Sequence, residues 1–98
     1  MKRIKLTEFT DPGHGWLSVP RSLIISLGLK DKITGFSYQK GNRVYLEEDC
    51  DCSIFYDTFF AKQGLSNYTR DDIKSYFEVK DSWTNNQSPV RYYQHYQP

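Results

Sequence analysis

The stretch WLSVPRSLIISLGL, residues 16–29, decides the fold of the first half of the chain. Its first four residues place Leu17 and Val19 on one face of a short strand. Pro20 fixes φ and suits the first turn of the helix that follows. Apolar residues recur at helical spacing in that helix, at Leu23, Ile24 and Leu27. Gly28 is placed to end it, so the stretch predicts a strand, a short helix and a glycine cap.

The segments on either side extend this unit into a sheet. Upstream, RIKLTEF (residues 3–9) alternates in polarity and predicts a first strand, which DPGHG (residues 11–15) ends. Downstream, KITGFSYQKGNRVYLEED (residues 32–49) predicts a β-hairpin.

Two registers are open to this hairpin, and they differ in which side chains share a face. A three-residue loop pairs Tyr38 with Val44. It also pairs Phe36 with Leu46, so that all four apolar side chains lie on one face. A two-residue loop instead places Tyr38 opposite Tyr45. We prefer the three-residue loop because it gives the hairpin one apolar face.

The second half of the chain predicts two more helices. DCSIFYDTFFAKQG contains the first, with Asp49 or Asp51 as its N-cap and Gly64 as its C′ residue. Thr69, followed three residues later by Asp72, predicts a capping box at the start of a third, short helix.

The order of the elements predicts an α+β fold. FEVKDSW, residues 77–83, alternates like a strand, and residues 84–98 are either a last strand or a loosely packed tail. Residues 1–98 are expected to form a single domain. We expect a small antiparallel sheet with two to three short helices packed on it, in the order β-β-α-β-β-α-(α)-β.

Composition narrows the classes of function. The net charge is +1, from 13 basic and 12 acidic residues, so the basic excess typical of strong nucleic-acid binders is missing, although a total can hide two opposed patches. No apolar run approaches the length of a membrane span, and no signal peptide is recognisable, so we expect a cytoplasmic protein of a bacterial host. Cys50 and Cys52 are too close in sequence for an unstrained disulfide, which predicts two free thiols.

Four short motifs carry a resemblance to a known group of proteins. They are DPGHGW (residues 11–16), FSY (36–38), YLEEDCD (45–51) and SPVRYY (88–93). Together they resemble a family of small uncharacterised proteins carried by phages, plasmids and bacterial genomes. The resemblance implies a mobile-element origin and no particular reaction.

A second resemblance is one of pattern. The run from Trp16 to Asp49, with a strand, a proline, a short helix ending in Leu-Gly-Leu and a hairpin, is similar to the AbrB-like swapped-hairpin domain of bacterial regulators and antitoxins. That family implies an interlocked homodimer that binds DNA through basic residues. The candidates for this role here are Lys2, Arg3, Lys5 and Arg21.

His14 is the first candidate for chemistry. It could act as a metal ligand or as a general base. As a base it could activate Cys50, which would then be the nucleophile. The alternative is that Gly13 and Gly15 supply positive φ in a turn, and that His14 is simply polar and exposed. No second histidine lies at metal-binding spacing, which favours the turn.

Four acids make the second candidate: Glu47, Glu48, Asp49 and Asp51. They could gather a cation, but the calcium-loop pattern is missing and Cys-x-Cys is poor zinc spacing. Acids at this position also cap a helix N-terminus, which we favour. A further possibility is an acidic protein-binding surface that mimics nucleic-acid phosphate.

The tail supplies the last candidates. Arg91 and His95 lie among three tyrosines, a composition that suits nucleic-acid stacking, an ordinary edge strand or a protein-binding segment. Trp16 and Trp83 are expected in the core or at its rim. The predicted binding residues are therefore His14, Trp16, Glu47, Glu48, Asp49, Asp51 and Arg91. We predict no catalytic residue, metal or cofactor.

Three functions follow as expectations. The first is a non-enzymatic mobile-element protein that binds a host or phage protein, for example as an anti-defence inhibitor of a nuclease or a CRISPR complex. The second is an AbrB-like, dimeric DNA-binding regulator or antitoxin. The third is an enzyme or metal protein centred on His14 and the acidic segment.

Overall fold

The computed structural model describes residues 2–98. Its strands and α-helices follow the chain as β1 (Ile4–Thr10), β2 (Gly15–Pro20), α1 (Arg21–Ser26), β3 (Tyr38–Lys40), β4 (Arg43–Glu47), α2 (Asp51–Lys62), α3 (Arg70–Tyr76), β5 (Phe77–Trp83) and β6 (Gln94–His95). A 3₁₀ helix, Pro89–Tyr92, precedes β6. No helix within residues 2–98 is long and apolar enough to cross a membrane.

The six strands form one mixed sheet in the order β5-β1-β2-β4-β3-β6. The predicted α+β class is confirmed, with three helices packed on the sheet. The sheet is not wholly antiparallel, because β5 lies parallel to β1, with Leu6 opposite Val79. The chain reaches β5 through α2 and α3, and a connection of that length allows a parallel partner.

The helices cover one face of the sheet and enclose the main core there. Leu17, Val19 and Leu46 project from the strands into this core, and Ile24 meets them from α1. Aromatic rings of α2 fill the rest: Phe55, Phe59 and Phe60, all of which contact Phe77 at the start of β5. Rings of this size bury more apolar area than aliphatic side chains, which suits a core built from short helices.

The opposite face of the sheet is covered by the C-terminal segment, residues 88–96, which we call the strap. Val90 of the strap is fully buried against Trp16 and Tyr45, which face it from β2 and β4. β6 then pairs with β3, and Tyr96 packs into the main core on the helical side. The strap therefore wraps around one edge of the sheet and buries side chains on both faces.

The strap explains why the preferred hairpin register is wrong. Tyr38 lies opposite Tyr45, and only Gly41 and Asn42 separate the strands, with Gly41 in the left-handed region at φ +57°. In this register Tyr45 faces the strap while Val44 and Leu46 face the helices. Both faces of β4 are buried, so placing all apolar side chains on one face was the wrong criterion.

The helix ends test the capping predictions. Gly28 and Gly64 have φ values of +73° and +79°, which confirms both as C′ residues. The capping box of Thr69 and Asp72 is also confirmed. The N-cap predicted for α2 is wrong, since neither Asp49 nor Asp51 caps it. The carboxylate of Glu47 accepts hydrogen bonds from the first N–H groups instead.

Candidate functional site

A cleft of about 360 Å³ opens at the end of the sheet where β2 begins and β4 ends. Five of the predicted binding residues line it: His14, Trp16, Glu47, Asp49 and Arg91. The other side chains in its wall are those of Phe36, Tyr38, Cys50 and His95. The fold therefore brings together the histidine turn, the acidic segment and the tail, three parts of the sequence that were predicted separately.

The turn before β2 places His14 at the mouth of this cleft. The Asp11 carboxylate accepts hydrogen bonds from the N–H groups of Gly13 and His14, both at 3.0 Å. Neither Gly13 nor Gly15 has positive φ, so that part of the prediction is wrong. The glycines provide space instead, because a Cβ on Gly13 would lie 2.8 Å from Nη2 of Arg91.

The buried Asp11 and the partly buried Arg91 form a bidentate ion pair that fastens the strap to the turn. Their nitrogen–oxygen distances are 2.7 and 2.8 Å, and Asp11 also accepts from the backbone N–H of Ser88 at 2.8 Å. The Arg91 guanidinium is the main reason that the pKa of Asp11 lies well below its usual range. The same guanidinium lies 5.3 Å from the ring of Trp16. Its charge is therefore already compensated by a carboxylate and an aromatic ring.

Trp16 forms the floor of the cleft and is only 4% exposed, which confirms it as a core-rim residue. Its ring meets Tyr38 edge-on at 6.1 Å between centroids, and Tyr38 stacks on His95 at 4.7 Å. Trp83 ends β5, two strands away from Gly15, and is 63% exposed, so its predicted place in the core or at its rim is wrong.

Phe36 also lines the cleft and is the residue that the sequence interpretation missed as a binding candidate. Its side chain is 77% exposed, while Thr34 and Ser37 beside it are anchored from below. Both of their hydroxyls donate to Oδ2 of Asp51, at 2.7 and 2.5 Å. Gly35, next to Phe36, is the one local signal that could have indicated a loop here in place of a strand.

Asp51 itself is fully buried and therefore does not belong to the binding surface for which it was predicted. Its Oδ2 also accepts from the backbone N–H of Thr34 at 3.0 Å. Because three donors of the loop converge on one carboxylate, Asp51 fixes the backbone that presents Phe36. It is a positioning residue beneath the cleft.

The acids that do reach the cleft give it a negative rim. Burial alone would raise the pKa of Glu47, but three backbone N–H groups outweigh it and the pKa lies below its ordinary value. Glu47 is thus ionised at neutral pH, and Asp49 beside it is exposed. Glu48 lies just outside the cleft wall, 3.9 Å from Nδ1 of His14, with both side chains about half exposed.

The chemical groups in the cleft are not assembled as a catalytic pair. Cys50 and His14 both line it, yet no hydrogen bond joins the thiol to the imidazole. Burial, together with the charge of Glu8, raises the pKa of the nearby Cys52 thiol to about 12. Among residues 2–98, no three His, Cys, Asp or Glu side chains are grouped to hold a metal ion. Comparisons of the chain with protein-family models, with curated proteins and with solved structures find no match.

Proposed function

We propose that this chain is a non-enzymatic protein-binding module whose cleft receives a cationic side chain of its partner. The observation that carries the proposal is the exposed ring of Phe36, held at the cleft by a loop tied to the buried Asp51. An exposed aromatic side chain on a fixed backbone is the usual anchor of a protein interface. It loses little conformational freedom on binding, because its loop is already ordered.

The cleft chemistry selects a cation. Aromatic rings attract Lys and Arg side chains; the exposed ring of Phe36 and the rings of Tyr38 and Trp16 line the cleft. Two carboxylates, those of Glu47 and Asp49, line the same cleft. Since Arg91, which lines the cleft, is paired with Asp11, the carboxylates of Glu47 and Asp49 leave the opening negative overall. An incoming arginine would meet rings and carboxylates at once.

This chemistry also indicates a class of partner. Proteins that act on nucleic acids present basic surfaces to the phosphate backbone, and a negative cleft is complementary to such a surface. A host or phage protein of this kind fits the mobile-element origin that the sequence motifs imply. We therefore place an anti-defence inhibitor, directed at a nuclease or a CRISPR complex, first among the biological roles.

The proposal is tested by affinity capture of the tagged chain from its bacterial host. Phe36→Ala and Asp49→Lys should each lose the captured protein, because one removes the anchor and the other reverses the rim charge. Trp83→Ala and Asp81→Lys are matched controls, an exposed ring and an exposed acid on β5, and should keep it. If all four variants capture the same protein as the unmodified chain, the cleft is not the binding site.

The DNA-binding alternative gives a different result in the same preparation. An AbrB-like regulator would have twice the monomer mass and would retard duplex DNA with a steep dependence on salt. The binding module that we propose needs neither property.

A further inference from the structure

One edge of the sheet is long, regular and open. The sheet ends in β6 at one side and in β5 at the other. β6 has only two residues, whereas β5 has seven, and all seven pair with β1 in one uninterrupted register. β5 also contains no proline. Short strands, prolines and bulges are the usual means of blunting an edge, so β5 remains a template for a further strand.

The backbone of β5 presents hydrogen-bonding groups on its outer side. The N–H of Thr84, which follows β5, donates to the carbonyl of Thr10 in β1 at 3.1 Å. Backbone groups of successive residues in a strand point to opposite sides. The even-numbered residues of β5 therefore bond to β1, and the N–H and carbonyl groups of Val79, Asp81 and Trp83 face away from it.

The charges of β5 select the partner of this edge. Glu78 and Lys80 are exposed on one face, because Phe77 and Val79 point into the main core on the other. Two copies of β5 can pair antiparallel about a twofold axis that passes through one of the middle residues. An axis at Lys80 or Asp81 places like charges opposite each other, which is destabilising. An axis at Val79 places Glu78 of each copy opposite Lys80 of the other.

The register centred on Val79 also fits the outward backbone groups. Val79 forms a hydrogen-bonded pair with its symmetry mate, and the carbonyl of Phe77 accepts from the N–H of Asp81 in the other copy. Glu78 and Lys80 then form the non-hydrogen-bonded pair, in which opposite side chains approach each other more closely. The complementary charges thus stand where they interact best.

Both charges are available for this pairing. Among residues 2–98, Lys80 has no ion-pair partner. Glu78 lies 3.6 Å from Arg3, but both side chains are about half exposed, and an ion pair of this kind contributes little. Glu78 can therefore contact a lysine of a second copy at small cost.

We propose that β5 pairs antiparallel with β5 of a second copy of this chain, so that two sheets join into one. Trp83, which is 63% exposed, lies two residues beyond the last pair, at the end of α3 in the other copy, where its ring is covered. The aromatic cleft at Trp16 contains no residue of β5, so the dimer does not depend on the function proposed above.

The test is sedimentation equilibrium of the full chain at low salt, over a wide range of concentration. We expect twice the monomer mass at high concentration. Glu78→Lys and Lys80→Glu should each weaken the dimer by roughly tenfold or more, because like charges then face each other twice. An equimolar mixture of these two variants restores both opposite-charge pairs and should dimerise as the unmodified chain does. Lys62→Glu, at an exposed cation outside β5, should keep the dimer.

A backbone variant tests the pairing independently of charge. Asp81→Pro removes an outward N–H and an exposed side chain without removing a bond to β1, and proline is tolerated in this position of an edge strand. It should abolish the dimer and keep the circular dichroism spectrum of the folded chain. Phe36→Ala, in the cleft, should leave the dimer unchanged, which separates this proposal from the one above.

Three results would overturn the proposal. The first is a monomer at every concentration. The second is a dimer that is equally stable in Glu78→Lys and Lys80→Glu, as expected if AbrB-like interlocked hairpins held the copies together. The third is a mixture of these two variants that stays as monomeric as each variant alone.

Discussion

Val90→Ala is the substitution that measures how firmly the strap is held on the sheet. Val90 of the strap is fully buried and packs against the rings of Trp16 and Tyr45. Loss of two methyl groups costs about 1.6 kcal/mol at ~0.8 kcal/mol per group. A residual cavity of roughly 20–40 Å³ adds about 0.5–1 kcal/mol. We expect a loss of about 2–2.5 kcal/mol, which corresponds to roughly 10–15 °C in a domain of this size.

The assay is urea and thermal unfolding followed by circular dichroism, with tryptophan fluorescence as a second probe. Tyr92→Ala is the control, because Tyr92 belongs to the same 3₁₀ helix but is 75% exposed. It should change the free energy of unfolding by less than about 0.5 kcal/mol. If Val90→Ala unfolds within about 2 °C of the unmodified chain, the strap is not packed as described and the cleft loses one wall.

Three further predictions concern the groups around the cleft. Ser37→Ala should lower the free energy of unfolding, measured in urea, by about 1–3 kcal/mol. The buried Ser37 hydroxyl donates a hydrogen bond to the Asp51 carboxylate and accepts one from the backbone N–H of Glu47. Asp11→Asn should lower the melting temperature at pH 7. It should also make the melting temperature less dependent on pH in the acidic range. The pKa of Asp11 is lower in the folded chain than in the unfolded chain. Its contact with Arg91 therefore stabilises the fold fully at pH values above the ordinary carboxyl pKa, and this stabilisation decreases as the pH falls below that value. Iodoacetamide at pH 8 should alkylate the exposed Cys50 and leave Cys52, whose pKa is about 12, largely unmodified.

Each of these has a result that would contradict it. Equal urea midpoints for Ser37→Ala and the unmodified chain would mean that the Phe36 loop is not anchored from below. Parallel plots of melting temperature against pH for Asp11→Asn and the unmodified chain would show that Asp11 titrates normally in the folded state. Alkylation of both thiols at similar rates would show that Cys52 of α2 is not packed against the main core.

The local features of the fold could be predicted from the sequence because local interactions cause them. Pro20 begins a helix, Gly28 and Gly64 end helices, and Thr69 caps one, each through contacts within a few residues. The alternation of β1 and β5 likewise predicts their strands. What these patterns do not contain is that β5 pairs with β1 in parallel, which depends on how α2 and α3 return the chain to the sheet.

The predicted hairpin register is wrong because of residues of the strap, which lie far along the chain from the hairpin. Tyr38 and Tyr45 share a face because Val90 and Tyr93 of the strap cover it. Nothing in the hairpin sequence shows that the strap covers this face. If the strap were absent, the register with all apolar side chains on one face would be the better choice. Phe36 was missed for the same reason, since its place in the hairpin depended on that register.

The residues of the candidate site could likewise be predicted only in part from the sequence. His14, Trp16 and Asp49 were selected on residue type, and all three line the cleft. Asp51 was selected on the same grounds and lies beneath it, because a buried carboxylate can satisfy the hydroxyls of a distant loop. The sequence shows which residues are acidic, but only the fold shows which of these acids are exposed to solvent.

The central claim is that the aromatic cleft recognises a cationic side chain, and one titration tests it most directly. Nα-acetylarginine methylamide is added to ¹⁵N-labelled protein, and the indole N–H signals of Trp16 and Trp83 are followed. The citrulline analogue, which is neutral and nearly the same shape, is the matched probe. We predict a saturable shift at Trp16 with the arginine compound alone, and no shift at Trp83. No saturable shift with the arginine compound, or equal shifts with both compounds, would contradict the account.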